Sequence, residues 1–188
     1  SFNSKLSSVA IPDSVTYIDH HAFYGCTNLT SVAMGNGLIE MGEGVFVKCT
    51  RLPSIEIPDS VTLMGRAAFS YCLSLTSAKI GSGISEISYE AFSWCSSLAN
   101  VEIPESVTSI GSFAFLGCTG LPGIEIPESV TSIGYSAFDG CSSLISLDIP
   151  DSVTSIGERA FQACTGLKSL KIGSGISEIG FETFSLCT

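Results

Sequence analysis

Residues 95–117 read CSSLANVEIPESVTSIGSFAFLG, and variants of this phrase return along the whole chain. Cysteine falls at 26, 49, 72, 95, 118, 141, 164 and 187, always 23 residues after the last. Phenylalanine keeps the same interval at 23, 46, 69, 92, 115, 138, 161 and 184. Two residue types held in one register through eight copies define a tandem array. Within the quoted copy, Leu98, Val101 and Ile103 form an apolar set that reads as a short strand, closed by Pro104, which has no N–H for a ladder. Val107 and Ile110 bracket Thr108 and Ser109 in a second extended piece that Gly111 ends. Ser112-Phe113-Ala114-Phe115 is too short for an independent helix and predicts a helical or 3₁₀ turn.

One such unit cannot stand alone, because its few inward side chains do not offset the conformational entropy of ordering the whole rung. Stacking is obligatory, and identical columns of Leu and Phe then form a continuous core with strands in parallel about 4.8 Å apart. The expected fold is a repeat solenoid: an arc of about eight rungs, with a parallel β-sheet on one face and short extended and 3₁₀ or helical turns on the other. Residues 1–188 form one solenoid domain on this reading, and because the chain begins and ends inside the repeat it reads as an excerpt of a longer array. Three rungs carry Gly35, Gly81 and Gly173 where Pro12, Pro58, Pro104, Pro127 and Pro150 stand elsewhere. Both residue types suit a sharp exit from a strand.

Acidic residues outnumber basic ones 18 to 8, and the net charge is −10. That balance argues against nucleic acid, whose phosphates need clustered Lys and Arg, and against an anionic membrane surface. No run of about 18 apolar residues marks a membrane span, and residues 1–15 lack the pattern of a signal peptide.

The pattern L-x-x-[IV]-x-I-P-[DE]-S-V-T-x-I-G-x-x-A-F-x-x-C resembles the leucine-rich repeat of the BspA-like family, also called the treponemal type, over nearly the whole chain. The resemblance implies surface-exposed or secreted proteins of bacteria and some protists that act in adhesion and protein recognition. It implies no catalytic residues and no cofactor.

The cysteine column admits several readings. Zinc needs four sulfurs converging on one point, whereas a column sets them in a line. A nucleophilic cysteine needs a neighbouring base, and the only histidines are His20 and His21. Disulfides between rungs would need Cβ atoms closer than parallel side chains bring them. Asn3 occupies the column one period before Cys26, and asparagine can donate to a turn backbone but cannot form a disulfide. The favoured reading is a structural ladder of Asn3 and reduced Cys26, Cys49, Cys72, Cys95, Cys118, Cys141, Cys164 and Cys187. Asp19-His20-His21 looks like a metal or acid–base cluster but aligns with exposed turn positions elsewhere in the repeat.

Two features are candidates for binding. The column Ala10, Ala33, Glu56, Lys79, Glu102, Glu125, Asp148, Lys171 is expected to project from the strand sheet into solvent. Glu102, Glu125 and Asp148 are three consecutive carboxylates, read either as a solvated face or as a seat for a cation or a basic segment. Lys48, Tyr71 and Trp94 stack in the position before Cys, either as recognition hot spots or as caps on the core. The expected function is a non-catalytic module of a cell-surface or secreted protein that binds a protein or glycan. The alternative is a spacer or filament segment that self-associates through uncapped ends.

Overall fold

The computed structural model describes residues 5–187; Asn3 lies outside them. Each rung lays down two short strands, and the rungs stack them into two parallel columns. The first column comprises β1 (Ser8–Ile11), β3 (Ser31–Met34), β5 (Ser54–Glu56), β7 (Ser77–Lys79), β9 (Asn100–Glu102), β12 (Ser146–Ile149) and β14 (Ser169–Ile172). The second comprises β2 (Tyr17–Ile18), β4 (Glu40–Met41), β6 (Leu63–Met64), β8 (Glu86–Ile87), β10 (Ser109–Ile110), β11 (Ser132–Ile133) and β13 (Ser155–Ile156). Register follows the repeat, so Glu56 lies beside Lys79 and Lys79 beside Glu102, while Asp148 lies beside Lys171. The chain is a parallel β-solenoid, as its periodicity predicts.

The third side of each rung differs from expectation. Residues 112–117 form neither a helix nor a 3₁₀ turn but a run of β-turns. Ala114, Leu116 and Cys118 donate to the carbonyls three residues back, whereas the N–H groups between them, on Phe113, Phe115 and Gly117, reach Tyr135, Ala137 and Asp139 in the next rung. A helix would direct every N–H along its own axis and leave the neighbouring rung unbonded. The alternation is made possible by left-handed residues on either side of the motif phenylalanine, such as Phe113 (φ 60°) and Gly117 (φ 69°).

Non-glycine residues in that conformation are strained by about 1–2 kcal/mol each. Ala163 (φ 52°) stands where Gly25, Gly117 and Gly140 stand in other rungs. The Ala163→Gly variant should therefore be more stable by roughly 0.5–1 kcal/mol, the relieved strain being partly offset by the freer unfolded chain. A lower midpoint in urea than the parent's would show the strain to be absent.

Inside the three ladders, Leu29, Leu52, Leu75, Leu98, Leu121 and Leu144 form one fully buried column. The phenylalanines from Phe23 to Phe184 form another, with centroids 5.1–5.5 Å apart and planes within 3–10° of parallel. This offset stacking runs without interruption.

The strand columns, by contrast, are broken. In the first, Thr30, Thr76, Ala99, Ile145 and Lys168 each donate an N–H to the rung before. Pro53 and Pro122 occupy that same position and have no N–H, and the ladder stops at both: β3 is not bonded to β5, and no strand forms between β9 and β12. In the second column the residue after each strand is usually glycine, because a Cβ at Gly111 would come within 2.7 Å of Ile87 O. Ser88 takes that place in its rung, and there β6 and β8 separate, the Ser88 hydroxyl donating to Met64 O where other rungs use a main-chain N–H. The breaks are staggered, so no rung loses both columns on the same side.

Candidate functional site

The thiol column is internal. Cys49, Cys72, Cys95, Cys118, Cys141 and Cys164 have no exposed surface, Cys26 is nearly as deep, and Cys187 is half-buried; all eight are free. From Cys49 onward each Sγ donates to the carbonyl of the phenylalanine 26 residues earlier, at 3.1–3.3 Å. From Phe23 to Phe138 that carbonyl also accepts the N–H of the cysteine in its own rung, so one acceptor ties two rungs together. Burial pushes the thiols of Cys49, Cys95 and Cys164 up to about 12, and those of Cys72, Cys118 and Cys141 well above 9.0. A thiol held in its protonated form is a poor nucleophile.

The outward column of the first strands is exposed along its length. Lys79 Nζ lies 2.6 Å from Glu56 Oε1 and Lys171 Nζ 3.0 Å from Asp148 Oδ2. The hydrogen bond that Lys79 donates to Glu56 raises its ammonium above its ordinary range, and the one Lys171 donates to Asp148 does the same there. Exposed pairs of this kind add little stability. Glu102 adjoins Lys79 across the ladder, whereas Glu125 lies in the interrupted rung and has no basic neighbour in register.

Where the first column is broken, the face opens. Beside Pro53's rung a cleft of about 420 Å³ is lined by Val32, Ala33, Met34, Asn36, Glu56 and Pro58. Around Pro122's rung two clefts lie on either side of Glu125. One, of about 310 Å³, includes Asn100, Glu102 and Glu105; the other, of about 220 Å³, includes Glu128, Asp148 and Lys171. Sequence periodicity places these carboxylates on one face but gives no sign of the clefts, which arise from main-chain bonds that are missing.

Tyr71 and Trp94 are on the turn side and line none of these clefts. Both are left-handed (φ 60° and 61°), and about two-fifths of each is exposed. Their rings are 6.2 Å apart at 15°, and the indole lies over Gly117, where a Cβ would come within 2.8 Å of it. Lys48 reaches instead over the ring of Tyr24, at 5.7 Å. One turn away, Arg66 lies 4.2 Å over Tyr89, which meets Phe113 edge-on, as Phe113 meets Tyr135.

At the histidine-bearing turn, Asp19 accepts hydrogen bonds from Tyr17 Oη and His20 N, and the second of these, foremost, lowers its carboxyl below the usual range. His20 Nδ1 accepts the N–H of Glu43 at 2.8 Å. The His21 ring turns instead to Tyr24, with centroids 5.6 Å apart. Among the described residues no group of three or more His, Cys, Asp or Glu side chains is placed to hold a metal ion, and no helix is long and apolar enough to cross a membrane.

The family profile described as the BspA type leucine rich repeat region matches residues 2–97 and 85–188. Among solved structures, a leucine-rich cell surface protein of Faecalibacterium prausnitzii is 31% identical, with a TM-score of 0.70 over 99% of this chain and 66% of that one. A leucine-rich repeat protein of Bacteroides ovatus is 25% identical, with a TM-score of 0.60 over 100% of this chain and 66% of that one. The leucine-rich repeat protein of T. pallidum, 24% identical at a TM-score of 0.53 over 96% of this chain and 65% of that one, shares the fold. The chain thus spans about two-thirds of the length of these relatives. No curated protein matches it.

Proposed function

This chain belongs to the BspA-type leucine-rich repeat family, and we propose that it is a non-catalytic recognition module of a bacterial cell-surface or secreted protein, serving adhesion to a protein or glycan partner. The observation that carries this reading is the contrast between the two sides of the first strands. The inward position stays apolar, as at Ile55, Ala78, Val101 and Leu147, while the outward position runs from Ala through Glu to Lys on a frame held by main-chain bonds. Such a frame fixes where side chains project and leaves their identity free, which is the division of labour that binding surfaces use. The cysteines from Cys49 to Cys164 are sealed in the core in protonated form, which favours binding over covalent chemistry through a thiol. The resemblance to a cell surface protein of Faecalibacterium prausnitzii supports the location.

Beads carrying the purified chain, offered to a protein and glycan array, should retain a small set of ligands in a saturable manner, and soluble chain should compete them away. Retention no greater than on beads bearing an unrelated protein of the same net charge would remove the recognition reading.

A further inference from the structure

The first strand column is interrupted on both sides of a single rung. Pro122 offers no N–H to Ala99, and the main-chain groups of Gly123, Ile124, Glu125 and Ile126 make no hydrogen bond to either neighbour. Main-chain amides and carbonyls within a sheet are ordinarily paired, and here four consecutive residues leave theirs open to another main chain beside two clefts. Nothing fills the space next to Gly123, where a Cβ would have no atom within 4 Å. Glu102 borders one cleft, Glu128 and Asp148 the other, and Glu105 and Glu125 both. The interruption at Pro53 has a different character. Its cleft is floored by Val32, Ala33 and Met34, and its one carboxylate, Glu56, is matched by Lys79.

We propose that the interruption at Pro122–Ile126 is a recognition site for an extended basic segment of a protein partner, whose arginine or lysine side chains enter the two clefts. The proposal rests on the chain being a recognition module and identifies where and what it recognises. At about 220 and 310 Å³ the clefts lie below and at the lower limit of small-ligand pockets, and each has room for a long side chain. The rim is made of acceptors: carboxylates and unpaired carbonyls. A guanidinium brings five donors and no acceptor, so it complements both kinds of group at once. An extended main chain in turn offers partners to the open amides, as strands do when they add to a sheet. Lys171, the one cation lining the clefts among the described residues, is turned to Asp148 and leaves Glu102 and Glu125 for the ligand. The carboxylates draw such a segment in, and the broken ladder gives it somewhere to sit.

The probe is a fluorescent decapeptide of alternating arginine and serine, with a glutamate–serine peptide as its counterpart, measured by anisotropy at two salt concentrations. The parent chain should bind the basic peptide, more weakly at the higher salt, and ignore the acidic one. Two double variants should each weaken binding by about tenfold or more. The first, Glu125→Gln with Asp148→Asn, removes charge. The second, Pro122→Thr with Gly123→Ser, restores the missing N–H and side chain, completes the ladder and keeps every carboxylate.

Undiminished binding by the repaired chain would mean attraction to acidic surface alone and overturn the site, as would no binding by the parent. If the repaired chain does not fold, neutralising Glu102 and Glu125 is compared with neutralising Glu86 and Glu158, which line neither cleft; equal losses overturn the proposal. Millimolar calcium is added separately, and calcium that displaces the peptide by occupying the clefts identifies a metal site instead. Array ligands retained by the repaired chain would leave the recognition reading standing without this site.

Discussion

Replacing Phe115 by alanine is expected to remove about 3–5 kcal/mol of stability, a large part of what a domain of this size possesses. The ring is fully buried and is stacked between Phe92 at 5.5 Å and Phe138 at 5.1 Å. Its backbone N–H donates to Ala137 and its carbonyl accepts both Cys118 N and Cys141 Sγ, so the site is held on both sides and cannot collapse to fill the void. Cavities that cannot relax are the costly ones. Phe184 is only half-buried and packs on Phe161 at 5.4 Å, so the same change there should cost less and loosen mainly its own rung. Denaturant unfolding followed through Trp94, the single tryptophan, together with amide exchange, reads both effects. Equal losses at the two positions would contradict a stack in which each rung depends on its neighbours.

Much of this solenoid is legible in the sequence, since the period, the paired strands and the inward Leu, Ile and Phe columns all follow from repetition and apolar placement. What escapes is whatever depends on one particular rung facing another. Pro53 and Pro122 are plain to see, but their effect requires knowing that the N–H at that position is the one aimed at the preceding rung. Ser88 is likewise visible as a departure from glycine, and only the closeness of Ile87 O to its counterpart Gly111 explains why a Cβ there separates two strands.

The choice between Asp and Glu after proline follows the same logic. Asp13, Asp59 and Asp151 each accept an N–H from the next rung, on Asn36, Ser82 and Ser174, and each is followed by one of the three glycine-form rungs. Glu105 and Glu128 precede proline-form rungs and project into solvent. A reader of the sequence could have found this pairing by comparing each rung with its successor rather than with the average. Propensity points to a helical turn because it speaks to one segment, whereas the left-handed residues are stabilised by bonds to the rung beyond. The acidic face could be inferred and the clefts in it could not, because a gap between two rungs belongs to neither.

The stacked thiols should set an alkaline limit on the fold. An unfolded chain ionises its cysteines near 9.0, while burial holds Cys49, Cys95 and Cys164 protonated up to about 12 and Cys72, Cys118 and Cys141 protonated well above 9.0. Between those limits the unfolded state binds fewer protons than the native state, so stability falls as pH rises; below about pH 9 the contribution is complete. Each thiol then costs about 1.4 kcal/mol per pH unit. By about pH 10.5 the three thiols that reach about 12 together remove about 6 kcal/mol, as much as the whole stability of many domains, and Cys72, Cys118 and Cys141 add to it. Lys79 and Lys171 change in the same direction, but they are exposed and screened.

Cooperative unfolding is therefore expected between about pH 10 and 11. Serine keeps a donor for the phenylalanine carbonyl and does not titrate in this range, so Cys→Ser at positions 72, 95, 118 and 141 should flatten the decline of stability with pH even if it lowers stability at neutrality. Urea unfolding at a series of pH values measures that slope directly. A slope unchanged by the four substitutions would assign the alkaline transition to tyrosine or lysine and free the thiol column of any part in it. A slope reduced in step with the thiols removed would show that the column serves the fold through its protons, each one held between two rungs by a carbonyl that a thiolate could only repel.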